Sequence, residues 1–219
     1  REYGLKPCVT FHHFTSPRWF TATGGWEDDK AADRFARYCE QATKHLGDLI
    51  GMACTINEAN LTASLALRGA LPKKGVKRRM NAFFAEAARK CGATLDCFGP
   101  FLFGDPFKIR DIMLDAHLKS RDAIKCGPGL FPVGVTLSMS DYQAAPGGEE
   151  QRDRALAQDY EPFLQAAQAD DFIGVQTYSR TRFGPDGALG PEEGVKVLIM
   201  GDEFWPQSLE ATIRYVNSK

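Results

Sequence analysis

Four short apolar runs set the architecture of this chain: Pro7 to Phe11, Met52 to Ile56, Val133 to Met139 and Phe172 to Tyr178. Each reads as a strand that hands polar or aromatic side chains to its C-terminal end. The ends are His13, Asn57 with Glu58, Asp141 with Tyr142, and Gln176 with Tyr178. Runs that are apolar at successive positions fit strands covered on both faces. Between them lie segments with helical periodicity. Strand and helix in alternation give a parallel sheet joined by right-handed crossovers. When polar side chains converge at the C-terminal ends of such strands, the fold expected is α/β of the (β/α)8 barrel kind, where that end carries the chemistry. Four strands make about half of such a barrel.

The helices are legible from spacing. Apolar residues at 31, 35, 39, 42 and 46 form one stripe, with an N-cap signal at Asp28 and Asp29. Leu61 to Leu67 reads as a short helix and Arg78 to Cys91 as an Ala-rich one. A strong helix is predicted from Pro106 to Lys125, stopped by Gly127-Pro128-Gly129. Glu149 to Ala167 reads as one helix with Leu156, Tyr160, Phe163, Leu164 and Ala167 on a face. The segment 179 to 194 reads as a Gly/Pro-rich loop, and Val195 to Met200 as a short strand. A last helix starts at Ser208, with Leu209, Ile213 and Val216 facing inward.

Composition excludes several classes. The net charge of −1 gives no footprint for nucleic acid or for electrostatic membrane attachment. Arg68, Lys73, Lys74, Lys77, Arg78 and Arg79 form a local basic cluster, read as a solvated loop and helix start. No stretch reaches the ~20 apolar residues of a membrane-spanning helix. The cysteines at 8, 39, 54, 91, 97 and 126 are dispersed, with no Cys-x-x-Cys, which fits reduced thiols in the cytoplasm. Histidines 12, 13, 45 and 117 give no metal-ligand spacing, so no metal and no cofactor is expected. A Gly-x-Gly-x-x-Gly or phosphate-binding loop after a strand is also missing, which disfavours a nucleotide fold. Asn60-Leu61-Thr62 is formally a glycosylation sequon.

Glu58 is the first candidate for catalysis, because an acid at a strand terminus of this fold sits where substrate binds. A helix-capping or water-facing Glu is the alternative. The order of several short motifs then makes the chain resemble glycoside hydrolase family 1, the retaining β-glucosidases and β-galactosidases. They are Gly4-Leu5-Lys6-Pro7 into Val9-Thr10-Phe11-His12-His13-Phe14; Gly25-Trp26 with Phe35 and Tyr38; and Thr55-Ile56-Asn57-Glu58. Gly134-Val135-Thr136-Leu137, Asp171-Phe172-Ile173-Gly174-Val175, and Met200-Gly201 with Pro206 and Leu209 follow in order.

The resemblance implies one (β/α)8 barrel domain over 1–219, of which these segments are the third to sixth strands. It implies Glu58 as general acid/base, with Asn57 and His13 binding sugar hydroxyls and Tyr178 bonding the nucleophile. Gln176 stands where the family often has Asn, so its contact with sugar or acid is in doubt. Ala59, Phe14 and Asp202 also depart from the common pattern. No Glu-Asn-Gly, the family's nucleophile motif, occurs in the chain, and it opens without Met. The expectation is therefore an internal fragment truncated at both ends. The partner implied is a β-linked glycoside or oligosaccharide, and retaining hydrolysis needs a second carboxylate roughly 5–5.5 Å from the first.

Trp19, Trp26 and Phe14 could offer apolar faces to a sugar, although core packing is the stronger reading for Trp26 and for His12. Asp141 and Tyr142 read equally as pocket lining or loop packing. A non-catalytic sugar-binding chain is the alternative to an enzyme. A (β/α)8 lyase or aldolase would want a Schiff-base Lys or metal ligands at strand ends, and neither is present.

Overall fold

A computed structural model describes residues 2–71 and 74–219. Four parallel strands lie side by side in chain order: β1 (Cys8–His12), β2 (Met52–Ile56), β3 (Val133–Ala144) and β4 (Phe172–Gly184). A two-residue β5 (Gly187–Ala188) turns back antiparallel on β4. The α/β fold and the four expected strands are thus present, with half the strand number of a closed barrel.

Helices cover one face. After the short α1 (Arg18–Ala22), α2 (Ala31–Leu46) crosses from β1 to β2 and buries Ala31, Ala32, Phe35 and Cys39. Lys30 takes its N-cap position, and Asp28 accepts the Lys30 N–H at 2.8 Å from just outside the helix. Three helices join β2 to β3: α3 (Leu61–Leu67), α4 (Lys74–Lys90) and α5 (Pro106–Lys125). α5 begins as its sequence dictates, with Pro106 in the first turn and Asp105 accepting from Phe107 and Lys108 N–H. The helix α4 starts earlier than the expected Arg78. Of the basic cluster, the side chains of Lys73, Lys74, Lys77, Arg78 and Arg79 lie outside the described residues. Arg68 pairs with Asp202 at 2.8 Å.

The single helix expected from Glu149 to Ala167 is two, α6 (Glu149–Asp159) and α7 (Glu161–Ala167). Pro162 has no N–H to offer the Gln158 carbonyl one turn back. Arg110 of α5 fills that gap, donating to the Gln158 oxygen at 2.7 Å. The strands β3 and β4 run past their expected ends and stay paired from Gly134–Phe172 to Ala144–Phe183, across an irregularity between Met139 and Asp141. Charged Arg180 and Arg182 hide this extension in the sequence. Arg180 Nε donates to Glu203 at 2.5 Å, and Arg182 bonds Glu192.

Two expectations near the C-terminal end are corrected. Val195 to Met200 forms no strand, only an isolated bridge between Val197 and Glu203, and Ile199 and Met200 are exposed. In α8 (Ser208–Asn217), Leu209 and Ile213 face outward while Ser208 and Thr212 are buried; Tyr215 and Val216 meet the core. The Thr212 hydroxyl satisfies itself on the Ser208 carbonyl at 2.7 Å, so a small polar stripe packs closely where apolar residues were expected.

Candidate active site

Where β1 and β2 end, the backbone turns sharply. Phe14 and Glu58 have φ of 64° and 50°; among the described residues no other non-glycine has positive φ. A left-handed non-glycine costs about 1–2 kcal/mol, so the surroundings must enforce it. At β2 the enforcement is visible. The Asn57 N–H donates to the His12 carbonyl at 2.9 Å, and the Ala59 N–H to the Thr136 carbonyl at 3.2 Å. The Glu58 N–H donates to the Thr136 hydroxyl at 3.1 Å.

Behind the turn, Asn60 is fully buried and replaces a strand residue with its side chain. Its amide accepts from Ser138 N–H at 2.9 Å and donates to Ser138 O at 2.8 Å. Its second N–H goes to Asp159 at 2.7 Å, and Asp159 accepts from the Tyr142 hydroxyl at 2.6 Å. Burial pushes the Asp159 carboxyl up to about 6, against the pull of the hydrogen bonds from Tyr142 and Asn60. Tyr142 thus packs in the core with its hydroxyl on Asp159, and the sequon Asn60 is buried. Asp141 accepts from the Gln143 amide at 2.5 Å.

On the open side of the sheet, five residues from three strands share one hydrogen-bond network. Gln176 Nε2 donates to Asn57 Oδ1 and to Thr136 Oγ1, both at 2.7 Å. The Tyr178 hydroxyl lies 2.5 Å from Glu58 Oε1 and 3.0 Å from Gln176 Oε1. Partial burial and the Glu58 carboxyl both hold the Tyr178 phenol above its ordinary range, so it keeps its proton. Tyr178 is 51% exposed and Glu58 only 6%. Asn57, Glu58, Gln176 and Tyr178 therefore meet. Thr136 joins them, although nothing in its own local pattern singled it out.

His13 is exposed at the end of β1, edge-on to Phe14 at 4.9 Å. No hydrogen bond among the described residues links it to the network. Its neighbour His12 is buried, as alternation requires, and accepts from Trp26 Nε1 at 3.2 Å. Burial, helped by His13, brings the His12 imidazole down to about 4. Trp26 lies in the core, Phe14 stacks on Phe101, and Trp19 is exposed. No group of three or more potential metal ligands gathers among the described residues, and no helix there is long and apolar enough to cross a membrane.

Fold and site together define a partial (β/α)8 barrel with a tyrosine-held carboxyl at its strand ends. Residues 1–94 match the model for Glycosyl hydrolase family 1. The solved β-glycosidase BGL167 is 45% identical with a TM-score of 0.85, over 98% of this chain and 52% of that one. A β-glucosidase, 1317, is 36% identical with a TM-score of 0.83, over 99% of this chain and 52% of that one. β-Glucosidase A of Acetivibrio thermocellus is 30% identical over 76 residues, which are 35% of this chain and 17% of that protein. The likeness to family 1 read from the motifs therefore stands, and this chain spans about half the length of the solved relatives it matches.

Proposed function

We propose that this chain carries the acid/base side of a retaining β-glycosidase site, with Glu58 protonating the glycosidic oxygen as the bond to the sugar breaks. The observation that carries the reading is Glu58 itself. Its carboxyl sits in an enforced left-handed turn at a parallel strand's C-terminal end, 2.5 Å from the Tyr178 hydroxyl. Asn57 beside it, and His13 on the neighbouring strand, supply donors and acceptors for sugar hydroxyls. A second carboxylate from outside this network attacks the anomeric carbon, and Glu58 then takes the proton of the water that releases the sugar.

Tyr178 suits both proton states of Glu58. A phenol has one proton to give. With Glu58 ionised, Tyr178 donates to Oε1. With Glu58 protonated, the acid donates to the tyrosine oxygen and Tyr178 turns its proton to Gln176 Oε1, 3.0 Å away. The carboxyl keeps a partner throughout the cycle. Gln176 in this reading orients the pair and bonds Asn57, with no direct contact to sugar required. The substrate class is a β-linked glycoside. Six unpaired cysteines support a reducing compartment such as the cytoplasm.

The test is Glu58→Gln in the complete protein. Hydrolysis of an alkyl β-glucoside should fall by at least about 100-fold, the usual scale of general acid catalysis. An activated aryl glycoside, whose leaving group needs no proton, should suffer far less in its bond-breaking step. Equal loss on both refutes acid catalysis by Glu58. A sugar-binding protein without turnover is the second reading. It is favoured by one observation: among the described residues no second carboxyl hydrogen-bonds into the network around Glu58. Saccharide binding by calorimetry with no hydrolysis would select it.

A further inference from the structure

Thr136 stands at the centre of the network without belonging to any motif role described above. Its hydroxyl accepts from the Glu58 N–H at 3.1 Å and from Gln176 Nε2 at 2.7 Å, and it donates to Asn57 Oδ1 at 3.4 Å. Among the described residues, that hydroxyl is the only hydrogen-bond acceptor of the Glu58 N–H. Its carbonyl takes the next N–H, from Ala59. One residue thus receives two of the three N–H groups of the turn that carries the acid, the Asn57 N–H going to His12.

The orientation of that hydroxyl is set from the other side. Thr136 pairs with Gly174 on β4. A Cβ built on Gly174 would lie 2.5 Å from the Thr136 methyl, Cγ2. The methyl therefore occupies the space that a side chain on β4 would take. Threonine is stiff at χ1, so placing the methyl over Gly174 aims the oxygen at β2. The Thr136–Gly174 pair is a device for pointing one hydroxyl at the Glu58 backbone.

We propose that Thr136 is a positioning residue for Glu58: its hydroxyl fixes the left-handed Asn57–Glu58 turn and so the direction of the carboxyl. This rests on the reading of Glu58 as the acid. Thr136 touches no substrate atom and acts through the turn, through Asn57 and through Gln176. The methyl and the hydroxyl have separable duties, which two substitutions can divide. Thr136→Val keeps the shape and removes the oxygen. Thr136→Ser keeps the oxygen and removes the methyl.

Both variants are to be assayed in the complete protein beside Glu58→Gln. Thr136→Val should lower kcat/KM on an alkyl β-glucoside about tenfold, the scale of one lost hydrogen bond, mainly through kcat. Loss on an activated aryl glycoside should stay within about twofold, and Thr136→Ser should stay within about threefold of the parent on both substrates. Native-state hydrogen exchange at the Glu58 amide gives a readout that needs no turnover. It should speed up in Thr136→Val and remain slow in Thr136→Ser. Alkyl glycosidase activity retained by Val, or lost equally by Ser, overturns the proposal, as does unchanged exchange at Glu58 in Val. If Glu58→Gln shows no leaving-group selectivity, the acid assignment has failed instead, and exchange still decides whether Thr136 holds the turn. Should Val not fold, Thr136→Ala replaces it in the same comparison with Ser.

Discussion

Two buried groups, Asp159 and His12, are shifted in opposite directions, and this makes a sharp prediction about stability. Asp159 is raised to about 6, chiefly by burial, from an ordinary 3.8. An acid whose folded pKa is raised contributes fully below its unfolded value, and the contribution is lost as pH rises through about 6. The shift corresponds to about 3 kcal/mol lost between pH 4 and 6. His12 is lowered to about 4, chiefly by burial, from 6.5. A base whose folded pKa is depressed contributes fully above its unfolded value, and the contribution is lost as pH falls through about 4. That too is about 3 kcal/mol, over nearly the same window and of opposite slope. Across pH 4 to 6.5 the two cancel, and the parent protein shows little net slope from them.

Single substitutions expose each limb. In Asp159→Asn the opposing slope from Asp159 is gone, so stability relative to the parent should climb by about 3 kcal/mol as pH rises from 4 to 6. Asn can still accept from Asn60 or Tyr142, while Tyr142 turns toward Ser64, 3.4 Å away. In His12→Gln, which keeps an acceptor for Trp26, stability relative to the parent should fall over the same range by a similar amount. Urea unfolding at half-unit pH steps gives both curves, and subtracting the parent removes every other titrating group. Parallel curves for parent and variant would refute the assignment of either group, and slopes of the same sign in both variants would refute the linkage argument itself.

Two further outcomes follow from packing and ion pairing. Trp26 is 2% exposed, closes the aromatic cluster around His12 and donates to it. Trp26→Ala should therefore cost about 3–5 kcal/mol in urea unfolding, as large core truncations do. Glu203 binds the loop after β4 to the strand, accepting from Arg180 Nε at 2.5 Å and from Glu192 N–H at 2.9 Å. Glu203→Gln should make residues 191–205 cleave faster in limited proteolysis while the Trp26 fluorescence signal is retained; equal cleavage rates would mean the pair does not anchor the loop.

The parts of the fold that were legible in the sequence are those fixed by local chemistry. Pro106 after Asp105 starts α5 where expected, and the apolar runs place all four parallel strands. What was hidden depends on partners distant in sequence. The extension of β4 past Tyr178 looks like polar loop until Glu192 and Glu203 neutralise Arg180 and Arg182. The break at Tyr160 is visible in Pro162, yet the helix resumes because Arg110 of α5 satisfies the orphaned carbonyl. Leu209 and Ile213 obey the spacing of a buried stripe, but Ser208 and Thr212 face the sheet, because close approach there favours small side chains.

The site divides the same way, and the division bears on how it would work. Asn57 and Glu58 could be singled out because they directly follow β2, and strand ends point to where a barrel does chemistry. Tyr178 lies inside β4, and its hydroxyl, expected on a nucleophile, lies on Glu58. Thr136 and Asn60 could not be singled out, because their roles consist of hydrogen bonds to backbone on another strand. If Glu58 is the acid proposed above, these two hold it in place. An acid on an unconstrained loop samples many directions, and catalysis by proximity is lost with misplacement of about 1 Å. Here the turn is held from the front by the Thr136 hydroxyl and from behind by the Asn60 amide, which Asp159 locks in one orientation. Turning the Asn60 amide over would set its oxygen against both Ser138 O and the Asp159 carboxyl, so it cannot flip without losing all three bonds. Gln176, which stands where the sequence reading expected Asn, ties the Thr136 hydroxyl and Asn57 to the tyrosine. Its extra methylene relative to Asn lets one amide reach Asn57, Thr136 and Tyr178 at once. The longer side chain thus preserves the geometry of the carboxyl.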